Sequence, residues 1–254
     1  MTEPHELVVV KLGGTTLAGA AAVIGELTQT HDLVLVHGGG KRLTDWMSRL
    51  GVESRFVEGR RVTSEAVLDV ALAVLGGLVN TELVAELLRA GVAAVGLTGV
   101  DGGLLVAERV ERLGRVGRVV GANPAALYAL LAAGQLPVIA PLALDKRGEI
   151  VNVNADEAAG GLAGALGARL ILLTDTDGVL DAAGQRIAQL DELSAEQLLS
   201  EGVISGGMVP KVQAALAVLR SGAGEVVIAD GMRPDGLKRA LSDDDYGTRL
   251  RAAG

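Results

Sequence analysis

The chain has 254 residues, which is enough for one large α/β domain or for two closely joined lobes. Apolar residues make up 49% of it and charged residues 21%, a composition typical of folded globular proteins that argues against a disordered or fibrous chain. The formal net charge of −8 and the aromatic content of only 2% argue against binding to nucleic acid or to an anionic membrane surface. Because the chain contains no cysteine, disulfides, thiolate metal sites and a cysteine nucleophile are excluded.

Neither a membrane span nor an export signal is predicted. The longest uncharged run, residues 119–144, contains Asn123, Gln135 and three prolines, which indicates a helix followed by a strand. The first six residues, MTEPHE, are acidic and lead directly into an apolar strand, unlike the basic start of a signal peptide. We therefore expect a cytoplasmic protein.

Short apolar runs rich in β-forming residues alternate with longer helical patterns along the chain. Strands are predicted at residues 7–11, 33–36, 94–97, 137–140, 170–173 and 226–229, and helices at about 17–29, 41–50, 64–90, 124–133, 155–166, 195–200 and 209–221. The stretch 104–120 predicts a hairpin flanking the sheet, and 145–150 predicts a hairpin turn. Because the apolar runs are continuous, we expect strands that are buried on both faces of a mainly parallel sheet.

The organisation of the chain follows from what separates these elements. No linker rich in serine or proline interrupts it, and no repeat of fixed period is visible. We therefore expect two lobes, 1–150 and 151–254, that share one continuous sheet without a flexible linker. Several strands end in Gly or Asp, at the sheet edge where open α/β proteins bind their ligands.

Glycine-rich turns follow the first two predicted strands. In KLGG (11–14), the lysine ends a strand and the glycines would let the backbone approach a phosphate, although a tight turn with a solvated lysine is the simpler explanation of this motif alone. HGGGK (37–41) exposes consecutive amides at the start of a helix, which predicts binding of a carboxylate or a phosphate. It matches neither the dinucleotide-binding fingerprint nor the P-loop.

The histidines carry no catalytic pattern. His5, His31 and His37 are not at metal-ligand spacings and none adjoins a nucleophilic serine, which disfavours a zinc enzyme or a hydrolase. We expect His37 to shape the glycine loop through a hydrogen bond.

Two motifs carry polar side chains suited to a small ligand. GRRVT (59–63) precedes a long helix, for which we predict Thr63 as the N-cap, and its two arginines either bind a substrate carboxylate or are solvated. NVNAD (152–156) has polar side chains at every second position, which would share one face of an extended segment. Alternatively, Asn154 or Asp156 caps the helix that follows.

Two later motifs favour a nucleotide. TDTDG (174–178) follows a buried strand, and GGMVPK (206–211) begins a helix. A nucleotide could lie across these segments with Lys211 near its phosphates. Taken singly, the acidic loop could equally be a solvated turn and Lys211 a surface lysine.

In this order, the motifs resemble those of the amino acid kinase family. The similarity extends over nearly the whole chain, through KLGG, HGGGK, GRRVT, VNVNADEAA, LTDTDGVLD, GGMVPK and YGTRL (246–250). It is greatest to the members that phosphorylate the side-chain carboxylate of N-acetyl-L-glutamate in arginine biosynthesis. The resemblance implies an α/β fold, a three-layer α/β/α sandwich with a mainly parallel open central sheet.

The resemblance also implies the role of each site residue. Lys11 and Lys211 would stabilise the transferring phosphoryl group, and Asp156 would hold both lysines in place. The acetylated amino acid would be bound by Gly39, Gly40, Arg61 and Asn152. ATP would be bordered by Lys11, Gly13, Gly14, Asp175, Thr176, Asp177, Gly178, Val179, Leu180, Val203, Ile204, Ser205 and Lys211. Mg²⁺ would be bound through the ATP phosphates, with no protein metal site, and residues 1–150 would form the amino-acid lobe with the dimer contacts and 151–254 the nucleotide lobe.

This chemistry agrees with the lack of a catalytic histidine. A side-chain carboxylate with a pKa near ~4.3 is ionised at neutral pH, so it can attack the γ-phosphorus without a general base. The repulsion between the carboxylate and the triphosphate must be overcome, which requires lysines, Mg²⁺ and backbone amides.

Two departures from the family bear on regulation. Arginine-inhibited members carry an extra N-terminal helix, whereas here about five residues precede the first strand. The stretch 234–250 also lacks the histidine- and leucine-rich pattern of an arginine site. We therefore expect a homodimer that arginine does not inhibit.

Other functions remain open at this point. The nearest alternative is a kinase for acetylated or carrier-linked aminoadipate in lysine biosynthesis, since one methylene is worth only about 1–3 kcal/mol of discrimination. Carbamate, uridylate and aspartate kinases fit the substrate loops less well. A non-catalytic amino-acid or nucleotide sensor on the same fold is a further alternative, which the intact lysines and aspartate disfavour. The missing fingerprint disfavours an NAD-binding protein.

Overall fold

A computed structural model describes residues 5–13, 20–57, 59–221 and 224–251 of the chain. In chain order its strands are Glu6–Leu12 (β1), His31–His37 (β2), Phe56–Val57 (β3), Arg60–Arg61 (β4), Ala94–Thr98 (β5), Leu105–Arg109 (β6), Val116–Ala122 (β7), Leu136–Ala140 (β8), Leu142–Asp145 (β9), Ile150–Val153 (β10), Arg169–Thr174 (β11), Gln189–Leu190 (β12), Glu225–Asp230 (β13) and Thr248–Arg251 (β14). Its α-helices are Ala20–Leu27 (α1), Gly40–Arg49 (α2), Glu65–Ala71 (α3), Asn80–Arg89 (α4), Ala125–Ala132 (α5), Ala155–Leu166 (α6), Glu192–Ser200 (α7), Met208–Arg220 (α8) and Gly236–Ser242 (α9). Leu72–Val79, between α3 and α4, is π-helical.

The main sheet confirms the predicted α/β fold with a mainly parallel sheet. Its order is β12-β14-β13-β11-β1-β2-β8-β5, and only the β13–β14 pair is antiparallel. The six predicted strands correspond to β1, β2, β5, β8, β11 and β13. Val8 and Val10 of β1 belong to one hydrophobic cluster and Val9 to another, so apolar layers cover both faces of the sheet, as the continuous apolar runs predicted.

The two predicted hairpins are confirmed as β6–β7 and β9–β10. They also pair with each other, in the order β10-β7-β6-β9, and close a small barrel beside the main sheet. This closure was not predicted, because it depends on pairing between segments that are far apart in sequence. It brings the end of β10, and therefore the start of α6, to the carboxyl edge of the main sheet.

The α3–α4 helix lies on one side of the site. It begins after Ser64, whose Oγ accepts a hydrogen bond from the Val67 amide, so the prediction of Thr63 as the N-cap was wrong by one residue. With its π-helical turns it spans 25 residues, Glu65–Arg89, and its most apolar window has a mean hydropathy of 1.8. By length and composition alone this helix could cross a membrane, whereas no membrane span was predicted from the sequence. Half of that window is buried within the protein.

Strand register determines which loops are neighbours. β1 pairs in parallel with β11 on one side and β2 on the other, so Lys11 lies opposite both Leu172 and Val36. The carboxyl ends of these three strands therefore form one edge. Asn154 caps α6 at this edge, because its Oδ1 accepts hydrogen bonds from the amides of Asp156 and Glu157 at 2.7 and 3.3 Å.

Candidate active site

Two lysines and one aspartate that are remote in sequence meet at the carboxyl edge of the sheet. Nζ of Lys11 lies 2.9 Å from Oδ1 of Asp156, and Nζ of Lys211 lies 2.9 Å from Oδ2 of the same carboxylate. Lys11 is near the end of β1, Asp156 is in the first turn of α6 and Lys211 is in the first turn of α8. Each oxygen of one carboxylate thus binds a different ammonium group.

Burial makes this arrangement electrostatically strong. Lys11 is 8% exposed and Asp156 is 4% exposed. Burial would by itself raise the pKa of Asp156, but the attraction of Lys11 and Lys211 outweighs burial and lowers that pKa below its ordinary value. Burial also lowers the pKa of Lys11, which Asp156 opposes and Lys211 reinforces. Two lysines thus surround one carboxylate within a chain of net charge −8, an arrangement that suits an anionic ligand.

A cavity of about 180 Å³ borders Lys11 and Asp156. Its lining includes every residue that was predicted to bind the amino acid, namely Gly39, Gly40, Arg61 and Asn152. These residues offer backbone amides, a guanidinium and a carboxamide, which are donors that match the carboxylates of an acidic ligand. The structure therefore brings the predicted substrate residues together, on one side of the lysine–aspartate group.

Arg61 is held in this cavity by the protein itself. Its Nη2 donates to the Gly40 carbonyl at 3.0 Å and to Thr44 Oγ1 at 2.9 Å, and its Nη1 donates to Ser54 Oγ. The guanidinium also lies over the ring of Phe56, 4.5 Å from its centroid. Burial lowers the pKa of Arg61 from its ordinary value. The side chain is therefore fixed in position before any ligand arrives.

The NVNAD segment combines the two alternatives that its spacing left open. Asn154 caps α6, whereas Asn152 and Asp156 are buried and line the cavity together. Nδ2 of Asn152 donates to Thr63 Oγ1 at 3.3 Å, which links β10 to the segment that follows Arg61.

The glycine loop after β2 is fixed by a buried polar network. Nδ1 of His37 donates to the Gly38 carbonyl at 2.7 Å, which confirms the predicted loop-shaping hydrogen bond, and Nε2 accepts from Nδ2 of Asn80 at 3.1 Å. Gly39 has a φ of 148°, and a Cβ there would lie 2.7 Å from Leu75 Cδ2. The backbone conformation therefore favours glycine at this position, and a larger residue would also require Leu75 to move.

A second cavity, of about 620 Å³, borders Lys211. Its lining includes most of the residues predicted to border ATP, namely Asp175, Thr176, Gly178, Val179, Leu180, Val203, Ile204, Ser205 and Lys211. Asp177 is exposed in the same loop but is not part of this lining. Lys11 lines the first cavity instead, and Asp156, which pairs with both lysines, marks the border between the two.

Two predicted ATP-binding residues, Gly13 and Gly14, remain. Gly13 directly follows the strand, and Gly14 lies outside the described residues. Within the described part of the chain, no group of three or more His, Asp or Glu side chains is arranged to hold a metal ion.

Sequence reasoning missed the residues that support this site. Asn80 contacts His37 from 43 positions away, and Arg61 is contacted by Thr44, Ser54 and Phe56, which are 17, 7 and 5 positions away. Their local sequence contains no recognisable motif, so only the folded arrangement identifies them.

Comparison with known proteins agrees with this geometry. Residues 6–230 match the amino acid kinase family. The chain belongs to the amino acid kinase family. A curated acetylglutamate kinase of Solibacter usitatus is 46% identical over 253 residues, which cover 96% of this chain and 98% of the relative. As a member of the amino acid kinase family with relatives of this kind, the chain is a kinase.

Solved structures of the amino acid kinase fold agree closely. That of smu.665 from Streptococcus mutans has a TM-score of 0.85 and 29% identity, with 97% of this chain and 99% of the other covered. The N-acetylglutamate synthase of Neisseria gonorrhoeae, solved with coenzyme A and N-acetyl-glutamate, has a TM-score of 0.85 and 26% identity. The match covers 98% of this chain and 60% of that longer one.

The buried His37 makes stability depend on pH. Its burial lowers the pKa of its ring below the ordinary value of 6.5, although the bond to Gly38 acts in the opposite direction. Between the lowered pKa and 6.5 the unfolded chain binds more protons than the folded one, so the free energy of unfolding decreases as pH falls through that window. We expect His37→Gln to reduce this decrease, as measured by urea unfolding between about pH 5 and pH 8. Equal pH slopes for wild type and variant would contradict the assignment.

Proposed function

We propose that the chain is the ATP-dependent kinase that converts N-acetyl-L-glutamate to N-acetyl-glutamyl 5-phosphate in arginine biosynthesis. The observation that carries this proposal is the Asp156 carboxylate with one lysine on each oxygen, at the border of two cavities. The curated relative at 46% identity over nearly its whole length supports the choice of substrate.

In this mechanism the substrate supplies its own nucleophile. The side-chain carboxylate of N-acetyl-L-glutamate is ionised at neutral pH and attacks the γ-phosphorus of ATP, and ADP leaves. The oxygen–phosphorus bond to the carboxylate forms as the bond to the β-phosphate oxygen breaks, and no proton has to be removed. A general base is therefore unnecessary.

Asp156 acts by holding the lysines and not as a base. Its pKa is lowered, and both of its oxygens are occupied by ammonium groups, so it has little tendency to accept a proton. Lys11 and Lys211 would stabilise the negative charge on the transferring phosphoryl group, one from each side. Fixing them beforehand removes the need to reorganise these charges during the reaction.

The first cavity would bind the acetylated amino acid. The amides of Gly39 and Gly40, the Arg61 guanidinium and the Asn152 carboxamide border it. Each terminal nitrogen of Arg61 already donates twice, Nη2 to Gly40 and Thr44 and Nη1 to Ser54 and, at 3.4 Å, to Met47 Sδ. A substrate carboxylate would therefore have to replace one of these bonds or use Nε.

The second cavity would bind ATP, with Gly13 and Gly14 near its phosphates and 151–254 serving as the nucleotide lobe. Mg²⁺ would enter with the nucleotide and neutralise part of its charge.

Removal of either lysine tests whether the two ammonium groups that share Asp156 stabilise the transferring phosphoryl group. We expect Lys11→Ala and Lys211→Ala each to lower kcat on the order of 10³-fold, because each removes a charge from the transferring group. Lys238→Ala is the matched control, since Lys238 is exposed and pairs only weakly with Glu26, at 3.4 Å. Steady-state kinetics with near-normal turnover in both site variants would reject the mechanism.

The identity of the substrate is tested by trapping the product. An acyl phosphate reacts with hydroxylamine, so we expect ATP-dependent formation of a hydroxamate from N-acetyl-L-glutamate. The kcat/KM should be at least about tenfold higher than with acetylated aminoadipate, because one methylene is worth about 1–3 kcal/mol of discrimination. A reversed preference would assign the enzyme to lysine biosynthesis. ATP binding without hydroxamate from either acid would identify a sensor.

We further propose a cytoplasmic homodimer, with its contacts in residues 1–150, that arginine does not inhibit. The stretch 234–250 bears on the last of these properties, because three of its four aspartates pair with arginines of the chain itself. Asp243 is 2.8 Å from Arg239, Asp244 is 3.4 Å from the buried Arg249 and Asp235 is 3.7 Å from Arg233. These three carboxylates are therefore already engaged within the chain.

Sedimentation and activity measurements test these two properties together. We expect a mass of about 52 kDa, twice the 25.8 kDa of one chain, both with and without millimolar arginine. Initial rates should also be unchanged by arginine, and the melting temperature should shift by less than about 1 °C, because only a bound ligand stabilises the fold. A larger assembly or loss of activity in arginine would contradict the proposal.

A further inference from the structure

An ion pair joins the β3–β4 hairpin to α6, the helix that carries Asp156, and this pair has no part in the proposed phosphoryl transfer. Nε and Nη2 of Arg60 both donate to Oε1 of Glu157, at 3.0 and 2.6 Å. The side chains are 20% and 14% exposed, so the pair is shielded from water far better than an ordinary surface pair. The two residues are 97 positions apart in sequence.

The position of this pair links substrate binding to phosphoryl transfer. Arg60 and Arg61 are neighbours in β4, and adjacent strand residues project to opposite sides. Arg61 is held in the amino-acid cavity, whereas Arg60 pairs with α6 at Glu157, the residue directly after Asp156. Arg61 is thus fixed in the amino-acid cavity. Its neighbour Arg60 is fixed to α6, the helix whose Asp156 pairs with both lysines.

Other contacts show that the hairpin lies against both α6 and α8. A Cβ on Gly59, before Arg60, would lie 3.7 Å from Pro210 Cγ, one residue before Lys211. Arg60 also lines both the amino-acid cavity and a groove on the outer side of α6 that includes Glu157 and Arg118. The pair therefore forms part of the wall between the cavity and the outer surface.

Glu157 depends strongly on its partner. Both arginine nitrogens bind Oε1, while Oε2 is buried and has no hydrogen-bond partner among the described residues. Loss of Arg60 would leave a mostly buried carboxylate without its counter-charge, which favours movement of the hairpin away from α6. A neutral residue at 157 would remove most of that penalty.

We propose that the Arg60–Glu157 pair is a positioning device that holds the β3–β4 hairpin, and with it Arg61, over the amino-acid substrate next to the phosphoryl-transfer group. This inference rests on the proposed kinase function. Arg60 and Glu157 are positioning residues, because they act through Arg61 and the cavity wall and not on the reacting atoms. Their loss should weaken binding of the acid while leaving ATP binding and the chemical step nearly intact.

Steady-state kinetics of paired variants tests the proposal. We expect Arg60→Leu to raise KM for N-acetyl-L-glutamate on the order of tenfold, with kcat and KM for ATP within about twofold of wild type, because misplaced binding groups lower effective concentration. Glu157→Gln, which keeps the shape of the side chain, should act in the same direction but less. The exchanged pair R60E/E157R should recover to within about threefold of wild type.

Arg118→Leu is the matched control, because Arg118 borders the same outer groove but pairs with Glu108 at 59% side-chain exposure. It should leave all three constants unchanged. Hydrogen exchange of the hairpin amides, which needs no turnover, should be faster in Arg60→Leu than in wild type and Arg118→Leu.

The possible results separate this inference from the function on which it rests. Failure of wild type to form a hydroxamate rejects the proposed function, whereas an active wild type with unchanged KM for the acid in Arg60→Leu and Glu157→Gln rejects the positioning role alone. Equal rises in both KM values, or no recovery in the exchanged pair, would also reject it, since a general loss of structure predicts those results.

Discussion

The site depends on one carboxylate that is shared by two ammonium groups. Asp156 is almost fully buried, and such a charge is costly unless it is paired on both oxygens. Lys11 and Lys211 provide that pairing from a strand and a helix that are 200 residues apart by number. The result is a pair of lysines around one carboxylate, in a protein whose overall charge is negative.

The order of strands explains how these residues meet. β1 lies between β11 and β2, so the loops after all three strands share one edge. The small barrel of β6, β7, β9 and β10 directs the start of α6 to the same edge, and Asn154 fixes that start by capping the helix. Two cavities on either side of Asp156 follow from this arrangement, one toward β2 and β4 and the other toward β11 and α8.

The residues that line the two cavities or pair at Asp156 could be predicted, whereas the residues that support them could not. Lys11, Gly39, Arg61, Asp156 and Lys211 lie in motifs whose composition is itself unusual, with glycine runs or charges at the ends of apolar strands. The main strands were equally visible, because continuous apolar runs are characteristic of buried parallel sheets. The barrel closure, β12, β14 and α9 were missed, because short elements and long-range pairing leave little local pattern. Arg60 was visible as a charge, but its partner Glu157 is identified only by the fold.

The π-helical turns beneath the glycine loop have a consequence for comparison with relatives. Leu75 approaches Gly39 from within this segment, and Asn80 directly follows it to reach His37. Each residue of an α-helix turns by about 100°, so removal of a single residue between Leu72 and Val79 would rotate Asn80 away from the imidazole without breaking the helix. In alignments across the family, a one-residue gap at this point would therefore mark a change in how the glycine loop after β2 is supported, even where the glycines of that loop are identical.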